Sequence, residues 1–148
     1  MISFKTLRSL ASATGIAIAA AAVLGASAIA FDGPTKPKGI GDKLLGSIDL
    51  AKEIPGLKDR QFRLRYFTID PGGIVPVHSH KDRPAMFYIL QGSVIQHRSD
   101  KPARTLNKGE VSLENNGVEH WWENKGREQV ILIIADILHA KAKDARQM

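Results

Sequence analysis

The sequence predicts an all-β fold, a sandwich or closed barrel, on three observations. Residues 43–137 break into short apolar or alternating runs, turn residues recur between the runs, and no long amphipathic helical pattern intervenes. Closing such strands into a jelly roll protects edges that an open sheet would expose. Taking the elements in order, strand character begins near Lys43. Gln61 to Ile69 alternates with period two, Phe62, Leu64 and Tyr66 on one face and Arg63 and Arg65 on the other. Pro71-Gly72-Gly73 then turns the chain. Ile74 to His80, Ala85 to Gln91 and Ser93 to Arg98 read as further strands, and Ser99-Asp100-Lys101-Pro102 as the turn after them. Asn115-Asn116-Gly117 suits the left-handed torsions of a tight hairpin. Val118 to Glu123 and Val130 to Ile137 complete the set. Residues 138–148, rich in Ala, Lys and Arg, are expected to form a tail or short helix.

The chain of 148 residues suits one domain with a sizeable core. Residues 1–30 read as a signal peptide: Lys5 and Arg8 precede an uncharged, alanine-rich stretch that ends Ala28-Ile29-Ala30, the small-x-small pattern of a cleavage site. An uncleaved anchor is the alternative, because the uncharged stretch is long enough to span a bilayer. Cleavage after Ala30 implies a periplasmic or secreted protein with no stable membrane association. Residues 31–42, with two prolines and three glycines, read as a flexible spacer.

Without Lys5 and Arg8 the chain keeps 19 of its 21 basic residues against 15 acidic ones. Their signs are interspersed, as in Lys81-Asp82-Arg83, with no basic stripe interleaved with aromatics, so a nucleic-acid partner is not expected. The absence of cysteine excludes disulfides and thiolate ligands.

The chemistry rests on histidine. The pair His78-x-His80 lies in a strand run, so both imidazoles share a face. Alone, such a pair suits a surface position or a metal site equally. Its surroundings decide. Gly72, His78, His80 and Gly92 resemble the first motif of the cupin superfamily, G-x5-H-x-H-x3,4-E-x6-G. Gly109, Gly117, His120 and Asn124 resemble the second, G-x5-P-x-G-x2-H-x3-N, with Asn115 in place of the proline. Sixteen residues, Ser93 to Lys108, separate the motifs, enough for one hairpin. The resemblance implies a jelly-roll barrel, the cupin double-stranded β-helix, in which His78, His80 and His120 hold one divalent ion (Fe, Mn, Zn or Ni). A positive φ is expected at the motif glycines.

The motif glutamate falls at Ala85, which cannot be a ligand. That leaves a three-histidine face with an open position, as catalytic metal sites require. Some cupin-type dioxygenases, thiol dioxygenases and a diketone-cleaving enzyme among them, use three histidines on ferrous iron. The resemblance therefore points to a dioxygenase-like enzyme acting on a small molecule. The alternatives are a non-catalytic binding or sensing module and Lewis-acid isomerase or lyase chemistry; a homodimer is compatible, because paired barrels are common in the family. Asp82 and Glu119 are the carboxylates nearest to replacing the missing ligand. Ala85, Phe87 and Trp122 are expected to line the cavity, while Met86, Tyr88, Leu90 and Trp121 face away. His97 is read as a surface or supporting group, His139 as solvated, and Arg83-Pro84 as lying near the barrel mouth. Because a ligand histidine must be neutral, metal affinity is expected to fall below about pH 6.

Overall fold

A computed structural model describes residues 31–140. The expected signal peptide and the C-terminal segment beyond residue 140 lie outside the described residues. Eight strands make one antiparallel sheet that curls into a nearly closed barrel: β1 (Lys38–Asp49), β2 (Arg60–Ser79), β3 (Ala85–Gln91), β4 (Ser93–Arg98), β5 (Arg104–Asn107), β6 (Val111–Glu114), β7 (Glu119–Glu123) and β8 (Val130–His139). The path runs β5-β4-β7-β2-β8-β3-β6, and β1 pairs with β2. No helix occurs among the described residues. Phe67, Ile69, Val75, Phe87, Ile89, Leu106, Trp122, Leu132 and Ile134 form the buried core.

Four local expectations change. The spacer ends earlier than expected: residues 38–42 already belong to β1, where alternation is obscured because most of this edge strand is exposed on both faces. Leu138 and His139 continue β8 instead of opening a tail, paired to Gln61 and Arg60. Pro71-Gly72-Gly73 does not separate two strands. It bends one continuous strand, so that residues 60–69 pair with β8 and residues 74–79 with β7. Asn115-Asn116-Gly117 is a turn, closed by Val118 N donating to Asn115 O at 3.2 Å, but not a hairpin. It carries the chain from β6, paired with β3, across to β7, paired with β2 and β4. The expected single hairpin between the motifs is β4–β5. All four motif glycines have positive φ, from 71° at Gly72 to 90° at Gly109. At Gly92 (φ 76°) a side chain would also press on Gln129 and Val130 at 3.1 Å, so glycine is needed twice over there.

The alternation in β2 is real, and it is the basic face that turns inward. Arg63 and Arg65 point inward and are buried, whereas Leu64 is exposed. Burial of two guanidiniums is tolerated because Asp136 of β8 lies between them. Arg63 donates to it through Nε at 3.0 Å and Nη2 at 2.7 Å, and Arg65 Nη2 sits 3.4 Å from the same carboxylate. Arg65 Nη1 also donates to Asp42 at 2.7 Å.

Candidate metal centre

One extra residue in β2 creates the site. Val75 pairs with Trp122 and His78 with His120, three steps along β2 against two along β7. A regular strand would turn His78 and His80 outward, because Val75 faces the core and period two would bring in residues 77 and 79. The bulge at Pro76–Val77 shifts that parity, and bulges commonly re-aim side chains in this way. Pro76 has no N–H to lose from the ladder. Asn124 secures the corner at the other end of β7. Its backbone N donates to Gly73 O at 3.0 Å, its carbonyl accepts from Gly72 N at 2.8 Å, and its side chain donates to Ile69 O and Glu128 O at 2.9 Å.

The three Nε2 atoms consequently converge. His78 and His120 are 2.8 Å apart, His80 and His120 2.9 Å, and His78 and His80 3.3 Å. Ligands ~2.1 Å from one ion would stand about 3.0 Å apart at right angles and about 3.4 Å apart at tetrahedral angles. The triangle fits those separations, so these histidines, drawn from distant parts of the chain, could together hold a metal ion. Burial strips the rings of solvent and disfavours their charged forms. It lowers His78 to about 4, against a hydrogen bond to Pro76 that pulls the other way, and His80 to about 3, helped by the positive charge of Arg83. His120 lies well below its ordinary value, through burial first and then its two histidine neighbours. All three are neutral at physiological pH, the state a metal ligand needs.

Around them, Phe87 packs 5.9 Å from the His80 and His120 rings and 5.0 Å from Trp122. Ala85, Phe87 and Trp122 all face inward and are buried, while Met86, Tyr88 and Leu90 face out. Trp121 turns away and stacks flat on His97 at 3.7 Å, whose Nε2 meets Glu123 at 3.0 Å, so His97 stands apart from the three. Neither carboxylate considered as a replacement ligand joins the cluster. Asp82 is exposed, accepts from Arg60 and meets His139 Nε2 at 2.6 Å, and Glu119 is not part of the group. His139, half exposed, is therefore also tied to Asp82 and Asp59.

Sequence reasoning passed over Glu114, which is fully buried. Its carboxylate accepts from Ser112 Oγ at 2.7 Å, Arg98 Nη1 at 2.7 Å and Gln96 Nε2, and lies 3.6 Å from His120 Nδ1. Burial raises its pKa above the ordinary carboxylate value, which these donors oppose. A signal was present: in β6 the polar Ser112 and Glu114 face in while Val111 and Leu113 face out, the reverse of a simple half-buried strand.

Residues 65–136 match the family model described as Cupin domain. The auxin-binding protein ABP19b of Prunus persica is 30% identical over 80 residues, covering 51% of this chain and 38% of that protein. Germin-like protein subfamily 2 member 2 of Arabidopsis thaliana is 27% identical over 111 residues, covering 71% and 51%. The chain thus spans about half or less of the length of these relatives. Among solved structures, the Cnp3 cupin domain of Schizosaccharomyces pombe superposes with a TM-score of 0.55 at 20% identity, covering 76% of this chain and 74% of that one. Fold, motif spacing and family model agree in giving residues 65–136 as a cupin domain.

Proposed function

We propose that this protein is an exported, metal-dependent enzyme of dioxygenase type acting on a small molecule, with His78, His80 and His120 as the metal ligands. The observation that carries this reading is the convergence of three neutral imidazoles beside Ala85, where the family motif has a carboxylate. A three-histidine face leaves coordination positions for substrate and oxygen, and a bound ion there would supply Lewis-acid or redox chemistry. The barrel's part is to fix the three rings and to keep water out with Phe87 and Trp122. Iron, manganese, zinc and nickel all suit imidazole ligands. Export follows from the leader-like residues 1–30.

Oxygen uptake by the iron-loaded protein, assayed with thiols, diketones and phenolics, tests the enzyme reading. Uptake no greater than that of the His120→Ala variant would overturn it. Stoichiometric metal binding without turnover would instead favour a binding or sensing module. That reading draws on Glu114, the buried carboxylate nearest the cluster, being engaged by three donors and so poorly placed as a general base. Elemental analysis addresses the ligands directly. About one ion per chain is expected in the purified protein and less than a tenth of that in a His78→Ala/His80→Ala variant. Equal metal content in the two would remove these residues from the site.

The barrel also pairs with a second copy of itself. The outer face of β2, β3, β6 and β8 presents Leu64, Met86, Tyr88, Leu90, Val111 and Leu113, each 39–55% exposed. A groove of about 330 Å³ lined by Phe62, Pro84, Met86, Leu113, Ala135 and Ile137 runs into this face. Six apolar side chains this exposed on adjoining strands form the kind of surface that marks an interaction site. A self-complementary two-fold contact is the commonest way to cover it. Light scattering is expected to give twice the chain mass, falling to one chain in Met86→Lys/Leu113→Glu. A wild-type monomer at tens of micromolar would exclude the pair.

A further inference from the structure

Two groups compete for one nitrogen of His120. Trp122 Nε1 lies 2.6 Å from Nδ1 and Glu114 Oε1 lies 3.6 Å from the same atom. An indole N–H can only donate. His120 Nδ1 therefore accepts, and the neutral ring carries its own proton on Nε2. The other two rings are set the opposite way. His78 Nδ1 faces Pro76 O at 2.8 Å and His80 Nδ1 faces Arg83 O at 2.8 Å. A carbonyl only accepts, so each of these Nδ1 atoms holds the proton and each Nε2 presents a lone pair. The Nε2–H of His120 then sits 2.8 and 2.9 Å from those two lone pairs. One proton shared between two acceptors reconciles three buried neutral rings with each other.

A cation requires three lone pairs, and this arrangement offers two. We infer that His120 exchanges partners when the site loads. Its proton moves from Nε2 to Nδ1, Trp122 N–H gives way, and the Glu114 carboxylate takes the hydrogen bond. The proton count of His120 is unchanged: the N–H bond at Nε2 breaks as one at Nδ1 forms. Glu114 is ready for this. Ser112, Arg98 and Gln96 hold it in place, and closing from 3.6 Å to an ordinary ~2.9 Å is a small ring movement. Ligand histidines commonly donate their second N–H to a carboxylate. Trp122 and Glu114 are thus opposed positioning residues, the first favouring the metal-free site and the second the loaded one. This rests on the three-histidine metal reading.

Zinc is the probe, because it is redox-silent. In a Trp121→Phe background Trp122 is the only indole, and its N–H resonance can be followed as zinc is added. The resonance is expected to move, in step with occupancy, toward that of an unbonded indole. Glu114→Gln is expected to weaken zinc binding 10–100-fold, and Trp122→Phe to tighten it roughly fivefold. An indole resonance unmoved at full occupancy overturns the exchange while leaving the metal site intact, and so do two substitutions that shift affinity in the same direction. Zinc that fails to bind the wild-type protein removes the metal reading and the exchange with it. Should Glu114→Gln not fold, the indole resonance alone decides.

Discussion

Asp136→Ala is expected to destabilise the barrel by about 3–5 kcal/mol, the cost of leaving buried charge without its partner. Asp136 is 2% exposed and is the carboxylate on which the buried guanidiniums of Arg63 and Arg65 both converge. A surface pair would contribute ~1 kcal/mol or less. Here the groups are held at 2.7–3.4 Å inside the sheet, where Arg65 also meets Asp42. Urea unfolding measures the effect as a lower midpoint at unchanged slope. Asp136→Asn should cost less, because the amide oxygen still accepts one of the hydrogen bonds. A loss below 1 kcal/mol for the alanine variant would mean that water replaces the carboxylate, and that this end of the barrel is wet. The triple replacement Arg63→Leu/Arg65→Leu/Asp136→Leu should come closer to the wild-type midpoint than Asp136→Ala does, since a buried ion network removed whole costs less than one broken open.

The same residues show where sequence reading succeeds and stops. Glycine and histidine spacing carried the fold because both act locally. Each motif glycine occupies a backbone conformation that other residues resist, and period two places His78 and His80 on one face whichever way the strand turns. Which face looks inward is a different question, settled by partners far along the chain. Gln61 to Ile69 reads as apolar against basic, and burial of the basic face depends on Asp136, 73 residues away from Arg63. Residues 111–114 pose the same problem, since Glu114 is buried by Gln96, Arg98 and Ser112. The outer face hid this, because its apolar side chains, Leu64 among them, look like core although they are exposed. The bulge at Pro76–Val77 was equally illegible: it exists only as an offset between β2 and β7. So was the placement of Trp122 and Glu114 about His120, at 2.6 and 3.6 Å from one nitrogen.

Zinc binding is expected to survive at pH 5, and the reason corrects the expectation that affinity falls below about pH 6. That figure belongs to an ordinary histidine, near 6.5. In the folded site burial lowers His78 to about 4, His80 to about 3 and His120 well below its ordinary value. Protons therefore compete with the metal only as the pH approaches 4. The cost of acidification falls first on folding. A histidine whose folded value is depressed takes up protons more readily when unfolded, so stability is fully present above about pH 6.5 and declines as the pH falls toward 4. For His78 alone the loss between pH 7 and pH 5 is about 2 kcal/mol. Bound metal opposes it, because an occupied lone pair cannot be protonated. Two measurements should diverge. The thermal midpoint of metal-free protein drops between pH 7 and pH 5, while the zinc affinity of the folded protein changes less than about threefold and then collapses near pH 4, with more than one proton taken up per ion released. A tenfold loss of affinity per unit beginning at pH 6 would place the ligand histidines in contact with solvent, and the buried three-imidazole site could not be what binds zinc.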